Sequence, residues 1–378
     1  MGIYLEQDGI KLSQNIHKFP GSTTMTPKLR LWNALTALAL TASTIVSAVH
    51  IYPAIAESQP STKQISKVNL TLSGHTAPVR AIAMSRDGQT LASGGDDKTI
   101  EVWNLKTGEN IRTLNGHTEK VTSLAITPDG KTLASSSDDN TIKLWNLQNG
   151  QLENTLTGHS AAVTSIVITP TGQTLASASR DKTVKLWNLQ NSQLRRTLKA
   201  EAISLVINPD GKTLVSGSED GSIKLWNLLT GKRLRTLIPP LPKSPPFPGQ
   251  RASGVLSLAI SPNGQTLVNG SYDDSHLSLQ ETDGKNIKVW NLKTRKLIHN
   301  FSLGIGSVDT VAISTDGQTF ATGGLGREIR LWNLKTGKLI RTFSGHAGGI
   351  YALAFSPDGK SLISGSGDKS IKVWQLSP

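Results

Sequence analysis

Thr-Ile-Glu-Val-Trp-Asn-Leu stands at residues 99–105, Thr-Ile-Lys-Leu-Trp-Asn-Leu at 141–147 and Thr-Val-Lys-Leu-Trp-Asn-Leu at 183–189. The phrase recurs in close variants around Trp226, Trp290, Trp332 and Trp374, at spacings of 42, 42, 39, 64, 42 and 42 residues. Self-similarity at a fixed period of this size marks a repeat architecture. Four of the seven units also open with Gly-His, at 74–75, 116–117, 158–159 and 345–346.

Working outward from Trp103, each unit reads as four short apolar runs separated by turn signals. Val79–Met84 is followed by Arg-Asp-Gly at 86–88, Thr90–Ser93 by Gly-Gly-Asp-Asp, Ile100–Leu105 by Lys-Thr-Gly, and Ile111–Leu114 completes the unit. Runs rich in Val, Ile, Thr, Leu and Trp between Asp-Gly and Thr-Gly turns predict a four-stranded meander. Helices are excluded, since Gly or Pro recurs about every ten residues. One such sheet cannot bury both faces alone. Seven packed in a ring can, and the ring leaves no long exposed edge.

The Gly-His and Trp phrases repeated in register strongly resemble the WD40 family of β-propellers, over residues 68–378, about four fifths of the chain. The fold class expected is therefore all-β, a seven-bladed propeller. One departure is uniform: the family's Trp-Asp is Trp-Asn at Asn104, Asn146, Asn188, Asn227, Asn291 and Asn333, with Gln375 last. The last unit has only Gln-Leu-Ser-Pro after Trp374, whereas Val68–Leu72 is a strand without a unit of its own. The resemblance implies that 68–72 closes the ring as the missing strand of the last blade.

The resemblance also implies a hydrogen-bonded structural set in each regular blade, tying three of its strands together. The sets are His75, Ser93, Asp97 and Trp103; His117, Ser135, Asp139 and Trp145; His159, Ser177, Asp181 and Trp187; and His346, Ser364, Asp368 and Trp374. A catalytic reading of His, Ser and Asp fails against four copies in one chain. Blades one, two, three and seven are complete and contiguous in the ring. Blade four keeps Ser216, Asp220 and Trp226 but no His; blade five has Asn269 for Ser; blade six has Thr322 and, at the Asp position, Gly326.

Two insertions fall in this drifted half: the six-proline segment 238–250, which favours extended polyproline II, and 273–284 within blade five. In WD40 propellers both connections emerge on the top face, where partners most often bind. Phe247, Leu277 and Leu279 are apolar residues of these segments and fit a contact patch. Top-face residues carried over by alignment are Arg80, Asp96, Lys120, Thr122, Asp138, Arg180, Glu201, Glu219, Asp309 and Tyr351. Their mixed chemistry points to a protein ligand rather than a phosphate.

The first seventy residues differ from the rest. Lys28 and Arg30 precede 26 residues without a formal charge, with 31–49 mostly Leu, Ala, Thr, Val and Ile and Ala54-Ile55-Ala56 at the end. Residues 1–56 read as a leader holding either a cleaved signal peptide or an uncleaved signal anchor, and 57–67 as a polar tether. Starting at Met25 would give a shorter and more typical signal peptide. Either reading places the propeller outside the inner membrane: in the periplasm or envelope, in a thylakoid lumen, or anchored to the membrane.

The chain carries 40 Lys+Arg against 27 Asp+Glu, formally +13. Lys293, Arg295, Lys296, Lys232, Arg233 and the Lys-Thr-Gly turns place this charge on the bottom face as a solvated rim. That makes nucleic acid an improbable partner and leaves anionic lipid open. Zero cysteines exclude disulfides and thiolate chemistry. No zinc-protease, Walker A, nucleophile-elbow or EF-hand spacing occurs, so neither metal nor cofactor is expected. The reading is a non-catalytic, monomeric protein-binding scaffold. The competing class is an enzyme or sugar-binding propeller with its site in the central channel, which a cluster of carboxylates on the inner strands would mark.

Overall fold

Each repeat folds into a four-stranded antiparallel sheet, and the computed structural model describes residues 68–239, 254–272, 286–301 and 306–376 of it. Blade one comprises Val79–Met84, Thr90–Gly95, Ile100–Asn104 and Asn110–Leu114, paired in chain order. Blades two to six repeat that order from Val121, Val163, Ser204, Val255 and Val308. The first strand of every blade lies against the first strands of both neighbours, and Ile350–Phe355 of blade seven lies against Val79–Met84 of blade one. The seven first strands therefore enclose the axis. This is a seven-bladed β-propeller, and every described residue in regular structure is in a strand.

The hydrophobic core sits in seven seams rather than one centre. Ile100, Val102 and Leu114 of blade one pack with Val121, Leu133 and Trp145 of blade two. Each following seam repeats the arrangement, the Trp of one blade reaching back onto the preceding sheet. Burying one such aliphatic side chain is worth about 1.5–3 kcal/mol, so each blade depends on its neighbour.

Second strands such as Thr132–Ser137 are buried on both faces, whereas outer strands such as Leu152–Leu156 bury little. Near the axis the sheets converge, and the sequence supplies small residues there. A Cβ added to Gly94 would stand 2.4 Å from Val121 of the next blade, and one added to Gly217 would stand 2.4 Å from Val255.

Closure follows the expectation. Val68–Ser73 pairs antiparallel with Ser370–Gln375, Leu72 opposite Ile371 and Thr71 opposite Lys372. Leu72 is buried in the seam between blades seven and one, with Ile363, Val79 and Trp103. The leader 1–56, the tether 57–67 and nearly all of both blade-five insertions lie outside the described residues. Among those described, no helix is long and apolar enough to cross a membrane.

The uniform Asn after Trp has a local explanation. Asn104 Oδ1 accepts from the backbone N–H of Lys106 and Thr107, at 2.9 and 3.2 Å. Asn146, Asn227, Asn291 and Asn333 cap their own turns in the same way. The turn uses one side-chain oxygen as acceptor, which Asn supplies as well as Asp. Lysines two residues before Trp also find partners: Lys143, Lys185 and Lys372 donate to Thr155, Thr197 and Thr71 on the outer strands.

Candidate functional site

The four complete His sets form as the resemblance implied. In blade two, His117 Nδ1 lies 2.7 Å from Asp139, His117 Nε2 lies 2.8 Å from Ser135 Oγ, and Trp145 Nε1 donates to the same Oγ at 2.8 Å. Blades one, three and seven repeat this with His75, His159 and His346. The Asp also accepts from the residue after His and from the hydroxyl two residues on, Thr141 in blade two.

One detail corrects the expectation. The set joins the incoming connection, the second strand, the tight turn and the third strand of a blade, so two strands and two loops rather than three strands. Each His follows the outer strand of the preceding blade, as His75 follows Val68–Ser73 of blade seven.

Burial lowers the affinity of His117, His159 and His346 for a proton, and the facing carboxylates offset this only in part. Burial alone would raise the carboxyls, but the hydroxyl and imidazole hydrogen bonds outweigh it, holding Asp181 and Asp368 down to about 2. A neutral imidazole thus donates from Nδ1 to an ionised Asp and accepts at Nε2 from the Ser hydroxyl, whose oxygen accepts in turn from the Trp indole N–H. Every polar group is matched inside the sheet, the arrangement of a structural part.

Where the set is incomplete, Trp keeps its partner. Trp226 donates to Ser216, Trp290 to Asn269 Oδ1 and Trp332 to Thr322. In blade four the missing Gly-His leaves a cleft of about 500 Å³ beside Trp226, edged by Lys199, Lys224 and Arg233.

The top-face residues divide by what their side chains touch. In six of the seven first strands the register slips by one between the first and third residues, so the second is a bulge residue. A bulge re-aims the side chain it carries. The bulge residues are Arg80, Thr122, Thr164, Leu256, Asp309 and Tyr351. Arg80 makes a two-pronged ion pair with Asp96, at 2.9 and 2.7 Å, and its guanidinium lies 4.2 Å from the centroid of the Tyr351 ring. Thr122 bonds Ser136 and the Val163 carbonyl of the next blade.

Outside the bulges, Lys120 pairs with Asp138 at 3.1 Å and Lys182 with Glu201 at 2.8 Å. Arg180 and Glu219 are exposed. The structure thus brings Arg80, Asp96, Asp309 and Tyr351 into one region and leaves the others spread around the rim. Phe247, Leu277 and Leu279 lie outside the described residues. The sequence reading named four of the six bulge residues, Arg80, Thr122, Asp309 and Tyr351, without indicating that they are bulges, and missed Thr164 and Leu256.

Comparison with known proteins agrees with this geometry. The WD domain, G-beta repeat family matches residues 66–104, 295–333 and 337–375, and the IFT122 first beta-propeller family matches 100–276. The chain is a WD40-repeat β-propeller. WD40 propellers generally bind other proteins and generally lack catalysis. Relatives include a ribosome biogenesis protein BOP1 homolog of Drosophila virilis, 44% identical over 45 residues, 12% of this chain and 6% of the relative. Protein Mut11 of Chlamydomonas reinhardtii is 40% identical over 60 residues, 16% of each chain. The vegetative incompatibility protein HET-E-1 of Podospora anserina is 53% identical over 38 residues, 10% of this chain and 3% of the relative. The matches therefore span only a small part of these relatives, about one WD40 repeat's worth of sequence.

Proposed function

We propose that this WD40 propeller is a non-catalytic scaffold that holds a partner protein on its top face, around the mouth of the central channel. The observation that carries the reading is the ring of bulge residues. Six adjacent strands each turn one side chain out of the sheet, and these side chains differ in kind: a cation, an anion, an aromatic, an aliphatic and two hydroxyls. The His, Ser and Asp residues that could have served catalysis are instead buried in the blades. Such a mixed patch on a rigid frame suits a protein surface.

The leader supports a location for this scaffold. The apolar segment 31–49, preceded by Lys28 and Arg30, fits export or membrane anchoring with the propeller outside. Fractionation with a carbonate wash tests this, and an uncleaved cytosolic protein would exclude both versions.

The binding face is tested by crosslinked capture from the native envelope with three variant sets. The first reverses Lys120 and Glu219 in charge. The second shortens 238–250 and 273–284. The third replaces Lys293, Arg295, Lys335 and Lys338 with Gln on the opposite face. Loss of the partner in the first or second set and retention in the third is expected. Loss in the third alone would move the site to the bottom face.

A further inference from the structure

We infer that Asp309 is the anchor for a cationic side chain, the ammonium or guanidinium of a partner protein's Lys or Arg, inserted at the channel mouth between blades six, seven and one. The inference rests on the top-face reading above and names the chemistry of its central contact.

Blades one and six differ at the channel mouth. In blade one the bulge residue Arg80 is answered across the blade by Asp96, in the turn that joins the second and third strands. The equivalent pair in blade six is Asp309 and Leu325, because Asp97 and Gly326 occupy the same place in the repeat. Blade six thus carries a carboxylate at the bulge and, at the turn position that Asp96 holds in blade one, a leucine that is 56% exposed, where blade one has a closed ion pair. A carboxylate with an aliphatic wall matches the two parts of a Lys or Arg side chain, a charged head on an apolar stem.

The cation within reach is already engaged. Arg80 is held by both oxygens of Asp96 and lies against Tyr351, and among the described residues no ion pair includes Asp309. Partial burial pushes the Asp309 carboxyl above its usual range, and the charge of Arg80 offsets only part of the effect. A carboxylate in that condition gains from a cation brought in by a ligand, since the ion's lost hydration is then replaced.

Glycines line the mouth beside the two bulge residues. The loops beside Asp309 and Tyr351 carry Gly324, Gly348, Gly349 and Gly367. A Cβ on Gly367 would stand 3.1 Å from the Tyr351 ring, and one on Gly349 would stand 3.4 Å from its Cζ and Oη. The phenol therefore lies against bare backbone, with Arg80 on its ring. A second cation at the same mouth would meet its edge, its hydroxyl and the Asp309 carboxylate.

The test uses the full chain and capped Gly-Gly-Arg-Gly-Gly and Gly-Gly-Lys-Gly-Gly peptides, read by the ring resonances of isotope-labelled tyrosine with Tyr351 assigned. Saturable shifts of Tyr351 are expected with both peptides and not with the citrulline or norleucine analogues. Asp309→Asn should weaken binding by at least roughly tenfold, while Glu153→Gln, on the outer strand of blade two, leaves it unchanged. A thermal melt of each variant confirms folding. Equal binding by Asp309→Asn, or equal shifts with the neutral analogues, overturns the inference. So does saturation by magnesium or calcium alone, which would make this a metal site. If Asp309→Asn still captures the native partner at full strength while the Lys120 and Glu219 reversals lose it, the inference fails and the top-face reading stands. If neither loses it, the top-face reading fails.

Discussion

The guanidinium of Arg80 lies 4.2 Å from the centroid of the Tyr351 ring, on two first strands that meet where the chain closes its own circle. Arg80 also grips Asp96 with two nitrogens. Lysine keeps the charge but offers neither the fork nor the flat face. Arg80→Lys should therefore lower stability by about 0.5–1 kcal/mol, the scale of a half-exposed ion pair with a cation–π contact. Urea unfolding midpoints check this, and an unchanged midpoint would show that the guanidinium is not engaged in solution.

His117→Ala removes the donor to Asp139 and the partner of Ser135 in blade two. Both are hydrogen-bonded at 2.7–2.8 Å and lie in or at the edge of the core. The loss should be ~1–3 kcal/mol, the cost of leaving buried polar groups underpaired. The ring should still close, because its seams do not use the imidazole. Near-ultraviolet circular dichroism of the variant should stay native while its melting midpoint falls.

Stability should decline in two stages as pH is lowered. His117, His159 and His346 bind protons more weakly folded than unfolded. The unfolded chain then takes up protons first, so stability is complete above the ordinary imidazole value near 6.5 and falls below it. Asp181 and Asp368 are depressed to about 2, so their contribution holds above the ordinary carboxyl range and is lost between about pH 4 and 2. Denaturation midpoints measured from about pH 8 to about pH 2 follow both stages. A flat profile between 7.5 and 5 would contradict neutral imidazoles.

Leu72 is 1% exposed and belongs to the strand that completes blade seven. Leu72→Ala should cost ~2–4 kcal/mol, as for other buried leucines. Its distinctive effect is spatial: amide exchange should quicken first in Val68–Ser73 and Ser370–Gln375, since noncovalent pairing alone holds that junction. Uniform acceleration over all seven blades would show that closure is not the weak point.

Asn104→Asp should change stability by no more than about 0.5 kcal/mol, because either side chain accepts from Lys106 and Thr107 through one oxygen. Asn104→Ala removes the acceptor and should cost about 1 kcal/mol. Thermal melts of the two variants separate a turn-capping role from a requirement for charge. An Asp variant as damaged as the Ala variant would contradict the explanation of the uniform Trp-Asn.

Much of this was legible in the residues themselves. The 42-residue recurrence of Trp fixed the blade count, and the alternation of short apolar runs with Asp-Gly and Thr-Gly fixed the strands. Val68–Leu72 stands outside the seven units, which marked it as the strand to pair with the Trp374 segment, as it does. The His sets could be aligned residue by residue. These features are local or periodic, so their signal survives in one dimension.

Other features depend on which strands meet in space. That Gly94 must be small follows from Val121 on the next blade, not from the neighbours of Gly94 in sequence. The slip between Val308 and Thr310 turns Asp309 out of its sheet, while nothing in Ser-Val-Asp-Thr distinguishes a bulge from a regular strand. Inner strands read from blades one to three show no carboxylate, and Asp309 of blade six becomes conspicuous only when the circle brings it near Arg80. Sequence determined the repeat, because hydrophobic period and turn chemistry act between near neighbours. Tertiary structure alone decided which side chains share the channel mouth, because ring closure sets Arg80 beside Tyr351, 271 positions apart by number.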